Sequence, residues 1–104
     1  MNQYRIDFEV ISWKSPAAGV RVKVYEQNEK ILRLVEFSKE FVEAEWCTKG
    51  HIGYILEGRM EIDFNGRIVP FGPGDGIFIP SGDQHAHKAN VLTDMLKVIL
   101  VEDA

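Results

Sequence analysis

The chain has 104 residues, 45% hydrophobic and 27% charged, with a formal net charge of −4 at pH 7. This is the composition of one globular domain and too short for two; at this size roughly 65% of the unfolded surface is buried on folding, so the core is small and a partner subunit is favoured. The acidic balance, without any cluster of lysine and arginine interleaved with aromatics, excludes a nucleic-acid footprint, and no apolar run approaches the ~18 residues of a membrane span.

The N-terminus lacks a signal-type apolar region, and the single cysteine, Cys47, has no partner for an internal disulfide. Both point to a reducing, cytoplasmic setting and leave the thiol free for other chemistry. Residues 1–19 read as an arm. Its apolar residues Phe8, Val10, Ile11 and Trp13 exceed what a solvated tail carries, so one strand is expected over about Ile6–Trp13. That strand is expected to pair along a sheet edge, within the subunit or across a homodimer.

From residue 20 to 104 the hydrophobic period is close to two. Val20, Val22 and Val24 alternate with Arg21, Lys23 and Tyr25. The same pattern runs through Phe41, Glu43, Glu45 and Cys47, through Met60, Ile62 and Phe64, and through Leu96, Val98 and Leu100. Such alternation over short segments predicts half-buried strands, and no segment carries a 3.6-residue stripe. Turn signals punctuate the runs at Gln27–Asn28, at Leu56–Glu57–Gly58 and, most strongly, at Asn65–Gly66, a hairpin dipeptide. Pro70, Pro73 and Pro80 belong at strand ends or edges, since each lacks the N–H that a central ladder needs. The prediction is one all-β unit of about nine or ten short antiparallel strands.

The segment Gly74–Asp75–Gly76–Ile77–Phe78–Ile79–Pro80–Ser81–Gly82–Asp83–Gln84–His85 places five residues between a glycine and a Pro-x-Gly turn, then two residues before a histidine. Upstream, Tyr54–Ile55–Leu56–Glu57–Gly58 closes a second element that contains Glu45, Cys47 and His51. Together these resemble the two sequence motifs of the small single-domain cupin family. The resemblance spans roughly residues 20–101 and implies a single jelly-roll barrel for residues 20–104, often with a divalent transition metal inside.

Counted back from Gly58, the resemblance puts His51 where the family has glutamate, and Cys47 and Glu45 where it has its two close histidines; His85 matches the histidine of the second motif. The implied ligand set is therefore Glu45, Cys47, His51 and His85. Residues i and i+2 of a strand share a face about 6.6 Å apart, so Glu45 and Cys47 can converge on one ion. A thiolate shifts the preference toward zinc, iron or nickel and away from magnesium or calcium. The set carries two negative charges where the family's carries one, which weakens the Lewis acidity of a bound ion. His87 shares the face of His85 on a regular strand, and either replaces Glu45 as a ligand or carries protons for a bound substrate.

Each residue also has a plainer reading: Cys47 as a small core residue, Glu45 as a solvated carboxylate, His85 as a hydrogen-bonded core histidine, His51 as a surface turn residue. Three functions follow. The first is a metal-binding cupin with a small-molecule pocket. The second, drawn from the resemblance, is a metal-dependent dioxygenase, isomerase or lyase acting on a small organic substrate. The third is a metal-free binding or sensor module.

Overall fold

The structure, a computed structural model, describes residues 4–104. Nine strands are present among them: β1 (Lys14–Ala17), β2 (Val20–Gln27), β3 (Lys30–Ser38), β4 (His51–Glu57), β5 (Met60–Phe64), β6 (Arg67–Phe71), β7 (Gly76–Ile79), β8 (Lys88–Val91) and β9 (Met95–Asp103). They form a six-stranded sheet ordered β1-β2-β3-β9-β4-β7 and a three-stranded sheet ordered β6-β5-β8, all pairings antiparallel. The only helical pieces among the described residues are two 3₁₀ turns, Phe8–Val10 and Asp83–His85. This is the all-β jelly roll expected, and no helix in it is long and apolar enough to cross a membrane.

Alternation explains which face is inward. Register aligns Val22 with Val35, Val35 with Val98, and Val98 with Ile55 across four strands of the large sheet. These meet Met60 and Ile62 of β5 and Val91 of β8 from the small sheet in one buried cluster. The β5–β6 hairpin turns at Asn65 (φ 57°) and Gly66 (φ 106°), the paired positive φ values that an Asn-Gly two-residue loop supplies. The β2–β3 hairpin makes the same kind of turn at Asn28 and Glu29. Pro70 lies on β6, an edge strand, as its missing N–H requires.

Two local expectations differ from what is seen. The arm's strand is Lys14–Ala17, paired with β2, whereas Phe8–Val10 forms a 3₁₀ turn capped by the Asp7 carboxylate. Lys23 Nζ donates to the Phe8 carbonyl at 2.7 Å, and Arg21 and Lys23 both lie over the Trp13 ring, which holds the arm against the outside of β2. Residues 41–46 alternate in sequence but form no ladder. There the carboxylate of Glu43 accepts the Ala89 N–H at 2.7 Å, so a side chain occupies the position that a neighbouring strand's carbonyl would take along the edge of β8.

Candidate metal centre

Cys47 and His87 face each other in a single antiparallel pair: the Cys47 N–H donates to the His87 carbonyl at 2.9 Å and the His87 N–H to the Cys47 carbonyl at 3.0 Å. His51 opens β4, and its inward side chain follows from its register opposite Ile79, a core residue. Cys47, His51 and His87 thus converge, each offering one ligand atom with no pair more than 4.8 Å apart. Cys47 Sγ is 3.8 Å from His51 Nε2, and the two imidazoles meet edge to face with centroids 5.3 Å apart.

Local chemistry orients these groups. His87 is 2% exposed, and its Nδ1 lies 3.0 Å from the His85 carbonyl, which as an acceptor draws the ring proton to Nδ1 and leaves Nε2 with a free lone pair. His51 Nδ1 is buried with no hydrogen-bond partner, an unusual condition for a polar atom. The His51 pKa is held below the ordinary 6.5, first by burial, then by the neighbouring His87 and by Lys49 and Arg33, with Glu102 opposing. It is therefore neutral at pH 7, the form that ligates metal. Buried Glu102 is itself held by Lys49 at 2.7 Å and Arg33 at 3.7 Å.

The donor set suits a transition metal. A tetrahedral zinc with N and S ligands has edges of about 3.3–3.8 Å, so the Cys47–His51 pair is already spaced for it and the wider pairs need to close by about 1 Å. Were a four-coordinate metal held by these three residues, a fourth donor could come from a bound molecule.

Two of the three side chains, His51 and His87, line a cavity of about 140 Å³ between the sheets. His51, His87 and Glu43 supply the polar part of its wall; the rest is apolar, including Phe37, Phe41 and Met60. Of the residues expected from sequence, the structure brings together Cys47, His51 and His87. Glu45 is exposed on the irregular 41–46 segment, outside the cluster. His85 lies in the 3₁₀ turn Asp83–His85, which breaks the strand parity with His87, and contributes its backbone carbonyl. Glu43 had no assigned role; its signal was the shared parity with Cys47, hidden among alternating acidic residues.

Comparisons agree with this architecture. The family model described as a cupin domain matches residues 43–102. An RmlC-like cupin from Shewanella frigidimarina is 16% identical, with TM-score 0.74 over 96% of this chain and 89% of that one. KdgF from Halomonas sp. is 22% identical, with TM-score 0.72 over 92% and 91%. The polyketide cyclase RemF from Streptomyces resistomycificus is 20% identical, with TM-score 0.76 over 96% and 78%. At these identities the structural likeness speaks to fold. No curated protein matches the chain in sequence. The family model covers more than half of the residues and ends within β9, taking in all three converging side chains, and on that ground the chain belongs to the cupin domain family.

Proposed function

We propose that Cys47, His51 and His87 hold a divalent transition metal and that the adjoining cavity takes a small organic molecule whose donor atom completes the coordination. The carrying observation is a thiol and two imidazoles with no ligand pair more than 4.8 Å apart, the two imidazoles lining a largely apolar cavity. Zinc, iron or nickel fits a thiolate-imidazole set better than magnesium or calcium. Bound there, the metal would polarise an oxygen of the ligand. The protein's own part is to seat the apolar body of the ligand against Phe37, Phe41 and Met60 and to present the Glu43 carboxylate as an acceptor for a hydroxyl or amine. A cavity near 140 Å³ holds a molecule of roughly six to eight non-hydrogen atoms, by the standard of benzene in a cavity of similar size.

An open coordination position and a carboxylate in the same cavity favour an enzyme over a passive binder, and the likeness to a polyketide cyclase is in keeping with that. We further propose that the protein works as a homodimer. Elemental analysis of tag-free protein tests the metal reading: roughly one equivalent per chain is expected for the wild type, lost in His87→Ala and retained in His85→Ala, whose backbone carbonyl persists. No uptake of zinc, iron, nickel or cobalt by the wild type at neutral pH would turn the assignment to a metal-free binding module.

A further inference from the structure

Between β3 and β4 the chain crosses the edge of β8 as a strap rather than a strand. Among the described residues, 42–46 make no backbone-to-backbone hydrogen bond. The strap is tied at one end by the Phe41 N–H on the Ser38 carbonyl at 3.0 Å, and at the other by the Cys47–His87 backbone pair. Between those ties a single hydrogen bond crosses to β8, from the Ala89 N–H to the Glu43 carboxylate at 2.7 Å. Val42 is 78% exposed and Trp46 44%, and Ala44 and Glu45 are exposed as well. A segment with so few buried contacts and no ladder opens at lower cost than the sheets on either side of it. What lies on its two sides gives that opening a use. Phe41, Glu43 and Ala89 line the interior cavity, and the same three residues line an outer groove that runs on to Glu61, Asp63 and Lys88. They form the wall between cavity and groove. Apart from His87, the other residues of the cavity wall lie on hydrogen-bonded strands of the two sheets.

We propose that residues 42–46 are a door through which the ligand of the cavity enters, with the Glu43–Ala89 hydrogen bond as its latch. The inference rests on the small-molecule cavity proposed above and specifies how it is reached and by which molecules. Opening lifts Glu43 off the Ala89 N–H while the ties at Phe41 and Cys47 stay in place, so the strap closes again by re-forming one bond. Glu43 is at once the latch and the carboxylate of the cavity wall. A ligand hydroxyl or amine that donates to its second oxygen therefore favours the closed door, and entry is coupled to seating. Charge sets the class of molecule admitted. The groove presents Glu43, Glu61 and Asp63 against Lys88 alone, and the Lys88 ammonium already lies 4.9 Å over the Trp46 ring. The approach is net negative on a chain whose net charge is −4, so neutral and cationic molecules pass and small anions are slowed.

The test places the chain's one thiol inside the cavity. Val98→Cys in a Cys47→Ser background puts it on β9, at a position 2% exposed in the cavity wall. Its modification by methyl methanethiosulfonate is timed on metal-free protein, with urea raised in steps below the unfolding transition. Entry through the door predicts labelling far faster than global unfolding allows and nearly independent of urea, because a local opening exposes little surface. Adding Glu43→Ala should speed labelling about tenfold or more, and Glu43→Gln, which keeps an acceptor for Ala89, much less. Gly66→Ala strains the β5–β6 turn without touching the strap and should leave the rate unchanged. At low salt 2-aminoethyl methanethiosulfonate should outpace its 2-sulfonatoethyl counterpart by more than their ratio on a Val10→Cys reference, whose site is 80% exposed, and added salt should narrow the gap. Labelling that tracks global unfolding, or that Glu43→Ala leaves unchanged, would overturn the door. An anionic reagent that keeps pace with the cationic one would overturn the groove as its approach. None of these rates involves a metal: a door that stays shut in a protein that takes up metal leaves the proposed function standing, and a working door without metal uptake overturns the metal reading alone.

Discussion

Replacing Cys47 by serine changes one atom and removes the only side chain of the three that can ligate as an anion. Four-ligand structural zinc sites are worth about 10–16 kcal/mol, or about 3 kcal/mol for each ligand, so the loss of one corresponds to an affinity drop on the order of 100-fold. The geometry argues against easy compensation. Sγ already stands 3.8 Å from His51 Nε2, about one tetrahedral edge, and a serine hydroxyl keeps its proton at neutral pH and offers neither the charge nor the reach of a thiolate. Folding should be little affected, since the other polar contact of the thiol is a weak one to the Lys49 carbonyl at 3.8 Å and the backbone pair with His87 is untouched. Cobalt titration gives the readout. Wild type should show near-ultraviolet thiolate-to-cobalt charge transfer that Cys47→Ser lacks, and competition with zinc should show the weaker affinity. Binding by wild type should also release about one more proton than binding by the variant, so its affinity climbs more steeply with pH. An unchanged charge-transfer band, or unchanged zinc affinity in a folded Cys47→Ser, would remove the cysteine from the centre and refute the reasoning.

The depressed pKa of His51 makes the metal-free protein acid-sensitive: the unfolded chain takes up a proton near 6.5 that the folded one resists, so stability is full above that pH and declines as pH falls below it, a loss that denaturant titrations should show reduced in His51→Gln. Glu43→Ala leaves the Ala89 N–H without its acceptor and should cost about 1–3 kcal/mol in urea unfolding, whereas Glu43→Gln, which keeps a carbonyl oxygen, should cost much less. Gly53→Ala would drive a methyl group against the Ile99 carbonyl oxygen and to 2.7 Å from Leu100 Cδ2 in the middle of the sheet, and should destabilise by about 3 kcal/mol or more. Gly66→Ala meets nothing within 4 Å and carries only the strain of its positive φ, about 1–2 kcal/mol. Melting temperatures of the two alanine variants that fall in the opposite order would contradict the packing described for β4.

Where alternation is backed by a full-length neighbour, the sequence was readable. Val20–Val24, Met60–Phe64 and Leu96–Leu100 became strands with the expected faces inward, and Asn65–Gly66 turned the expected hairpin. Phe41–Cys47 carries the same alternation but borders β8, a strand of only four residues, and Glu43 reaches across to take its amide; the ladder fails before Glu45 can be turned inward. The second motif departs from strand parity. Its spacing delivers His85 onto a 3₁₀ turn, and a turn of that kind does not preserve the two-residue period that would place His85 and His87 side by side. Capture of the Ala89 amide by the Glu43 side chain joins segments 46 residues apart in sequence, which the local pattern does not show, whereas the 3₁₀ turn closes on its own hydrogen bonds, from the His85 N–H to the Gly82 carbonyl and from the Ala86 N–H to the Asp83 carbonyl.

The position of β9 in the large sheet constrains how the chain acquires its fold. It pairs with β3 on one side and β4 on the other, and by register Lys30 meets Asp103 across the length of the domain. Until residues 95–103 have been synthesised, the β1-β2-β3 meander and the β4-β7 pair are two separate half-sheets, each with an apolar inner face and an unpaired edge. Closing them requires the 56 residues between Ser38 and Met95 and the 39 between Glu57 and Lys97 to be looped out before the contacts that reward them form, so folding should be slow for so small a domain. During that interval the nascent chain is most exposed to misassociation through the same edges that β9 later occupies.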